Sequence, residues 1–198
     1  MDTPAPTQKQ FHLRAMSRPE MEAMLADAGF ERYRAKQLYH WVFARGVAEI
    51  EAMGNLPGRL RQWLADHAVL SDMCLKKVTG PEGGTRKVLF RLRDDRAIES
   101  VLMRDEDESD KVSLCLSSQV GCNVGCVFCM TGFGGFQRQL TVDEITGQII
   151  EIRHQLLGPN EQIGHIVMMG MGEPLLNLEA VVPAIGLMID PDGLKMSR

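Results

Sequence analysis

The sequence predicts an α/β fold in which a small helical module and a β-hairpin precede the first strands and helices of a parallel-stranded layer. Three observations predict it. The 198 residues are 44% hydrophobic and 24% charged, the composition of a folded globular chain. The hydrophobic period is helical to about residue 70 and turns to alternation from Met73. From Val112 onward the order strand, loop, helix, strand, loop, helix is that of an α/β barrel or a doubly wound sheet. No apolar run approaches the roughly 18 residues of a membrane span. No repeat or low-complexity tract interrupts the pattern.

Each element has a local reason. Residues 1–16 are polar and Pro-containing, and a flexible tail is expected there. Ser17 is an N-cap, with Pro19 and Glu20 in the first turn and Met21, Met24, Leu25 and Ala28 at helical spacing before Gly29. Tyr33 to Ala44 carries Leu38, Trp41 and Val42 on one side and stops at Gly46, and a third helix runs from Pro57 to about His67. Residues 17–70 thus form a helical accessory module. In 71–108, Val88, Phe90 and Leu92 alternate with charged residues, and 85–104 reads as a hairpin followed by the exposed acidic run DEDESD. In 109–198, Val112, Leu114 and Leu116 alternate on a strand that enters a Gly- and Cys-rich loop. Thr141 with Glu144 is a capping box opening a helix to about Leu157. The apolar strand Ile163 to Met169 leads to Gly172-Glu173-Pro174, and a helix over Leu178 to Ile189 follows.

Charge and cysteine usage narrow the chemistry. The net charge of -4 argues against binding of polyanions by the whole surface. From Lys76 to Arg96, however, seven basic residues face three acidic ones, as in a solvated hairpin face or a phosphate-contacting strip. The N-terminus lacks the apolar segment of a secretory signal, so the cytoplasm is expected, where five cysteines serve as ligands or nucleophiles more readily than as disulfides. Cys122, Cys126 and Cys129 bring three thiols into eight residues of one loop, a donor set for iron-sulfur or zinc. Three thiolates leave one iron of a 4Fe-4S cluster open. Zinc would need a fourth ligand such as His154 or His165. Loops at the C-terminal ends of neighbouring parallel strands share one rim, so the cysteine loop and Gly172-Glu173 are expected to face each other. Glu99 shares its alternation with Ala97, Val101 and Met103, an acid on a mainly apolar face whose desolvation would make it a better base. Cys74 falls in no motif and is expected in the core.

The spacing Cys-x3-Cys-x2-Cys with Phe128 before the last cysteine resembles the radical S-adenosylmethionine signature. The run SLCLSSQVGCNVGCVFCMTGFGGFQRQLTVDEI with IVMMGMGEPLLNLE closely resembles the RlmN/Cfr family of RNA adenine methyltransferases, nearer to its RlmN branch. Upstream, AKQLYHWVFARGV, LPGRLR and RKVLFRLRDDRAIESVLM resemble the same family, so the likeness covers almost the whole chain. It implies an α/β architecture that begins a partial (β/α)6 radical S-adenosylmethionine barrel. Cys122, Cys126 and Cys129 would hold a 4Fe-4S cluster, and Gly172 and Glu173 would bind the amino acid end of S-adenosyl-L-methionine, cleaved to a 5′-deoxyadenosyl radical. Glu99 matches the family's proton acceptor, and Cys115 the cysteine that forms a transient disulfide to release the RNA.

The same resemblance implies methylation of adenine C2 in 23S rRNA and tRNA through a methyl-cysteine, an electron donor such as a flavodoxin-type reductase system, no membrane, and a monomer. The methyl-carrying cysteine lies near the C-terminus in the family, whereas no cysteine follows Cys129 here. The sequence is therefore expected to be an N-terminal fragment with an incomplete barrel, inactive alone. The alternatives are a C8-directed, Cfr-like methyltransferase and a non-catalytic zinc-containing RNA-binding module.

Overall fold

The computed structural model describes residues 11–71, 73–104 and 110–196. The short strand β1 (Phe11–His12) pairs in parallel with β2 (Ala68–Val69), and a 3-10 turn over Leu13–Ala15 follows β1. Leu13 and Arg14 are fully buried, so residues 11–16 are packed structure where a tail was expected. Their apolar and long side chains find a partner surface that no local pattern announces. Residues 1–10 lie outside the described set, as do residues 105–109 of the acidic run DEDESD.

Between β1 and β2 stand three helices. Helix α1 (Arg18–Asp27) starts at Ser17, whose N–H donates to Glu20 Oε2 at 2.7 Å, completing a capping box. Helix α2 (Arg34–Tyr39) continues into a π-helical turn over His40–Ala44, and α3 (Gly58–His67) completes the module. Met21, Leu25, Leu38, Val42, Phe43, Leu60 and Leu64 form its interior. Burying a side chain of this size contributes roughly 1.5–3 kcal/mol, enough to hold short helices that would not persist alone.

The alternating segments join into one five-stranded sheet in the order β3 (Met73–Thr79), β4 (Arg86–Leu92), β5 (Ala97–Arg104), β6 (Lys111–Cys115) and, after two further small strands, β9 (Gln162–Val167). Strands β3 to β6 pair antiparallel with their neighbours, whereas β6 and β9 are parallel, as a βα crossover requires. The hairpin is thus continuous with the barrel strands, and the expected division near residue 108 falls between adjacent strands of one sheet.

One sheet face carries Val88, Phe90, Ile98, Leu102, Val112 and Leu114, all buried in the same core as Ile145, Ile149 and Ile152 of α5 (Val142–Leu156). The opposite face carries Lys87, Leu89, Glu99, Val101 and Cys115, which register places side by side. Cys74 is opposite Arg91 on this open face and is exposed. The core position expected for it belongs to its neighbour Met73, because adjacent strand residues point to opposite faces.

Ion pairs dock the helical module onto α5. Arg14 Nη1 lies 2.6 Å from Glu151 Oε1, and the Thr146 hydroxyl donates to the Arg14 carbonyl at 2.8 Å. On the other side the Tyr39 hydroxyl donates to Asp190 Oδ2 at 3.0 Å, just past α6 (Leu178–Ile189). None of the described helices is long and apolar enough to cross a membrane.

Candidate functional site

Beyond β6 the chain runs into β7 (Gln119–Gly121), which pairs antiparallel with β8 (Phe136–Gln139). This two-stranded stem encloses the cysteine loop and the single turn α4 (Met130–Phe133). Gly121 closes the stem with φ +76°, and a Cβ there would stand 1.8 Å from the Gly135 carbonyl oxygen. Only glycine permits both the backbone conformation and this approach.

Cys122 and Cys129 are half-buried, Cys126 is exposed, and all three are free thiols. The backbone N–H groups of Gly132 and Thr131, with the Thr131 hydroxyl, pull the Cys129 pKa below the usual thiol value. A donor held toward thiolate suits a soft metal. A cavity of about 310 Å³ lies beside the loop, lined by Gly125, Cys126, Val127, Cys129, Gly132 and Phe133. Among the described residues no group of three His, Cys, Asp or Glu side chains is drawn together as a metal site. The residue types and the adjoining space fit a cluster held by three thiolates on one loop, with the thiols set along the loop rather than gathered.

Neither histidine considered as a fourth zinc ligand joins them. His154 sits in the last turn of α5 with its ring against Gly46, and burial, followed by Arg153 and Arg14, lowers its pKa. His165 is on β9 opposite Ser113.

The loop after β9 lies directly against the stem. The N–H groups of Ser118 and Gln119 both donate to the Met171 carbonyl, at 2.8 and 3.1 Å, and the Met171 N–H donates to Ser117 Oγ at 2.8 Å. Gly172 has φ +97° and packs on the Gln119 side chain, which a Cβ would strike at 2.5 Å. Glu173 is half-buried; its Oε1 accepts from the Leu175 N–H at 3.0 Å and so caps the 3-10 turn Pro174–Leu176. The cysteine loop and the Gly172-Glu173 loop therefore share one rim, as the strand order predicted.

Glu99 departs from expectation. Its side chain is 41% exposed and its Oε1 lies 2.8 Å from Lys87 Nζ, so it is not buried among apolar neighbours as the alternation suggested. The alternation was read correctly, but the covered face is that of Ile98, Ser100 and Leu102. Glu99 and Cys115 share the open face through the pairs Leu89–Glu99 and Val101–Cys115. Burial pushes the Cys115 thiol pKa up, partly offset by a backbone hydrogen bond from Met169.

The basic strip is also partly neutralised in place. Besides Lys87 with Glu99, Arg91 pairs with Asp95 at 3.4 Å and Arg96 with Asp94 at 2.5 Å. Lys76 and Lys77 remain exposed.

Several supporting residues escaped the sequence reading. Buried Gln148 on α5 accepts from the Ser100 hydroxyl at 2.7 Å and the Ser117 N–H at 2.8 Å, and donates to the Ser117 carbonyl at 3.0 Å. Ser117 in turn donates to the Glu99 carbonyl. An amide between Ile145, Ile149 and Ile152 was the available signal, since a buried polar group requires partners.

With this geometry in place, similarity to known proteins defines the class. Residues 116–195 match the Radical SAM superfamily, and a crystal structure of a radical SAM methyltransferase from Sphaerobacter thermophilus superimposes with a TM-score of 0.88 at 36% identity, covering 94% of this chain and 54% of that one. The α/β fold expected from the sequence is thereby borne out as part of a radical SAM fold. Residues 11–70 match the ribosomal RNA large subunit methyltransferase N-terminal domain. The dual-specificity RNA methyltransferase RlmN of Geotalea uraniireducens is 44% identical over 178 residues, covering 90% of this chain and 50% of its own. The probable dual-specificity RNA methyltransferase RlmN of Symbiobacterium thermophilum is 46% identical over 187 residues, covering 93% and 49%. The chain is similar along almost its whole length to these RlmN proteins, and it spans about half the length of these curated relatives.

Proposed function

We propose that this chain forms the cluster-binding half of a radical S-adenosylmethionine methyltransferase that modifies C2 of adenine in 23S rRNA and tRNA. The observation that carries the reading is the hydrogen-bonded contact between the cysteine loop stem and the Gly172-Glu173 loop through the Met171 carbonyl. It joins the stem that leads into the three thiols to the segment that carries the Glu173 carboxylate, which supports reading the two as parts of one site.

In this reading Cys122, Cys126 and Cys129 hold a 4Fe-4S cluster through their thiolates. When bound, the cluster and S-adenosyl-L-methionine supply the electron and the one-carbon unit that acid-base chemistry at an aromatic carbon does not provide. Gly172 lets the backbone pass close to the ligand, and Glu173 receives the ligand's ammonium with the carboxylate lone pairs that Leu175 leaves unused. Glu99 accepts the proton lost from adenine C2 on the open sheet face, where Lys87 Nζ, 2.8 Å away, orients its carboxylate. Cys115, on the same face, supplies the thiol for the transient disulfide.

The exposed Lys76 and Lys77 and the helical module contribute RNA contacts. The remaining partner is an electron donor such as a flavodoxin-type reductase, with the protein acting as a cytoplasmic monomer.

Anaerobic reconstitution with iron and sulfide tests this directly. The expected result is a brown species with about four irons per chain that is lost when Cys122, Cys126 and Cys129 are together changed to Ala. A colourless protein that takes up zinc and no iron overturns the reading. Product analysis of methylated adenine, with the complete enzyme, separates C2 from C8.

A further inference from the structure

The two loops of the site are joined by more than their shared carbonyl. The Glu173 N–H can only donate, so the atom of Gln119 that meets it at 2.9 Å is the side-chain oxygen Oε1. That leaves the Gln119 amide nitrogen to donate to Gln139 Oε1 at 2.8 Å. The Gln139 nitrogen then donates to the Leu176 carbonyl at 2.6 Å. Donor and acceptor alternate without conflict through both amides. Their relay begins and ends on the segment that carries Glu173, and it crosses the stem of the cysteine loop, where Gln119 and Gln139 are cross-strand partners.

We infer that Gln119 and Gln139 are positioning residues that set the distance between Glu173 and the cysteine loop. The consequence is selective recognition of the amino acid end of the nucleoside ligand. The inference rests on the cofactor reading above and goes beyond it by naming what aligns the two halves of the site. Gln119 is fully buried, and its side chain lies beneath Gly172, so it constrains both orientation and height of the Glu173 backbone. Gln139 is exposed, so removing its amide disturbs the relay without opening a cavity in the core. Neither amide ionises or is positioned as a ligand; each acts through Glu173.

The test compares the reconstituted wild-type chain with Gln119→Leu and Gln139→Leu by hydrogen exchange and by equilibrium binding of two nucleosides. S-adenosyl-L-methionine carries the amino acid end, and 5′-methylthioadenosine lacks it. The inference expects faster amide exchange over residues 172–177 in both variants, about tenfold weaker binding of S-adenosyl-L-methionine in each, and unchanged binding of methylthioadenosine. Gln139→Leu keeps the test decisive should Gln119→Leu unfold.

Unchanged exchange at 172–177 in Gln139→Leu overturns the inference. So does an equal loss of affinity for both nucleosides, which would mark a general loosening. If the wild type binds methylthioadenosine but not S-adenosyl-L-methionine, the assignment of Glu173 itself fails. If the wild type discriminates and the variants match it, the relay alone fails.

Discussion

The Arg138 guanidinium meets the Glu144 carboxylate with two nitrogens, each at 2.7 Å from its own oxygen, and turns its Nε to Asp94 at 2.7 Å. One side chain thereby joins the stem of the cysteine loop, the capping box of α5 and the turn of the β4–β5 hairpin. Asp94 also accepts from Arg96, whose Nε reaches Gln137 on β8. The hairpin turn is fastened to the strand that leaves the cysteine loop.

Breaking this junction has a calculable cost. The Glu144 side chain is 5% exposed, so Arg138→Met leaves a nearly buried carboxylate whose only remaining partner among the described residues is the Thr141 N–H. We expect a loss of about 2–3 kcal/mol in urea unfolding, below the full cost for a wholly buried pair because Arg138 is 26% exposed. Arg138→Lys, which loses the two-nitrogen grip but keeps the charge, should recover part of it.

Acid should weaken the link between the end of β5 and the loop before β9. The Arg104 guanidinium hydrogen bonds to Glu161 and pushes its pKa down to about 2. A carboxylate depressed in the folded state stabilises fully above its unfolded pKa, and that stability is lost as pH falls from about 4.5 toward 2. The contribution at neutral pH is about 2 kcal/mol after discounting for solvent. Unfolding measured across this window should show Glu161→Gln with a flatter acid limb than the wild type.

The cysteines should differ in reactivity. Burial raises the Cys115 pKa, whereas backbone hydrogen bonds lower that of Cys129. In metal-free chain at pH 7.5, chosen at about neutrality where thiolate fraction limits the rate, iodoacetamide should modify Cys129 before Cys115. Time-resolved peptide mass spectrometry reads the order, and equal rates would contradict it.

Gly121→Ala should damage the cysteine loop more than any exposed substitution. An L residue at φ +76° carries a strain of roughly 1–2 kcal/mol, and its Cβ would collide with the Gly135 carbonyl. The stem must open to relieve the contact. Iron uptake should fall severalfold while far-ultraviolet circular dichroism stays near wild type, since β7 and β8 are only 3 and 4 residues long.

Much of this molecule follows from local pattern. The capping boxes at Ser17 and Thr141 start α1 and α5 where their residue types require, and Leu178–Ile189 is helical as its apolar spacing predicts. The three cysteines, Gly172 and Glu173 stand on the two loops expected of them, because loop position follows from strand order. The small stem β7–β8 was not legible, being too short for a period and made of residues suited equally to a loop.

Alternation along β5 determined that Glu99 and Ile98 lie on opposite faces, but only pairing partners decided which face is covered. Helix α5 covers the side of Ile98, and Glu99 is left open beside Lys87. The same holds for Arg14, whose burial against Glu151 depends on a residue 137 positions away. Hydrophobic period, capping and motif spacing act over a few residues and are written in the sequence itself. Register across the sheet, the partner of each buried charge and the amide relay from Gln119 to Gln139 arise from packing between distant segments, so only the tertiary structure decided them.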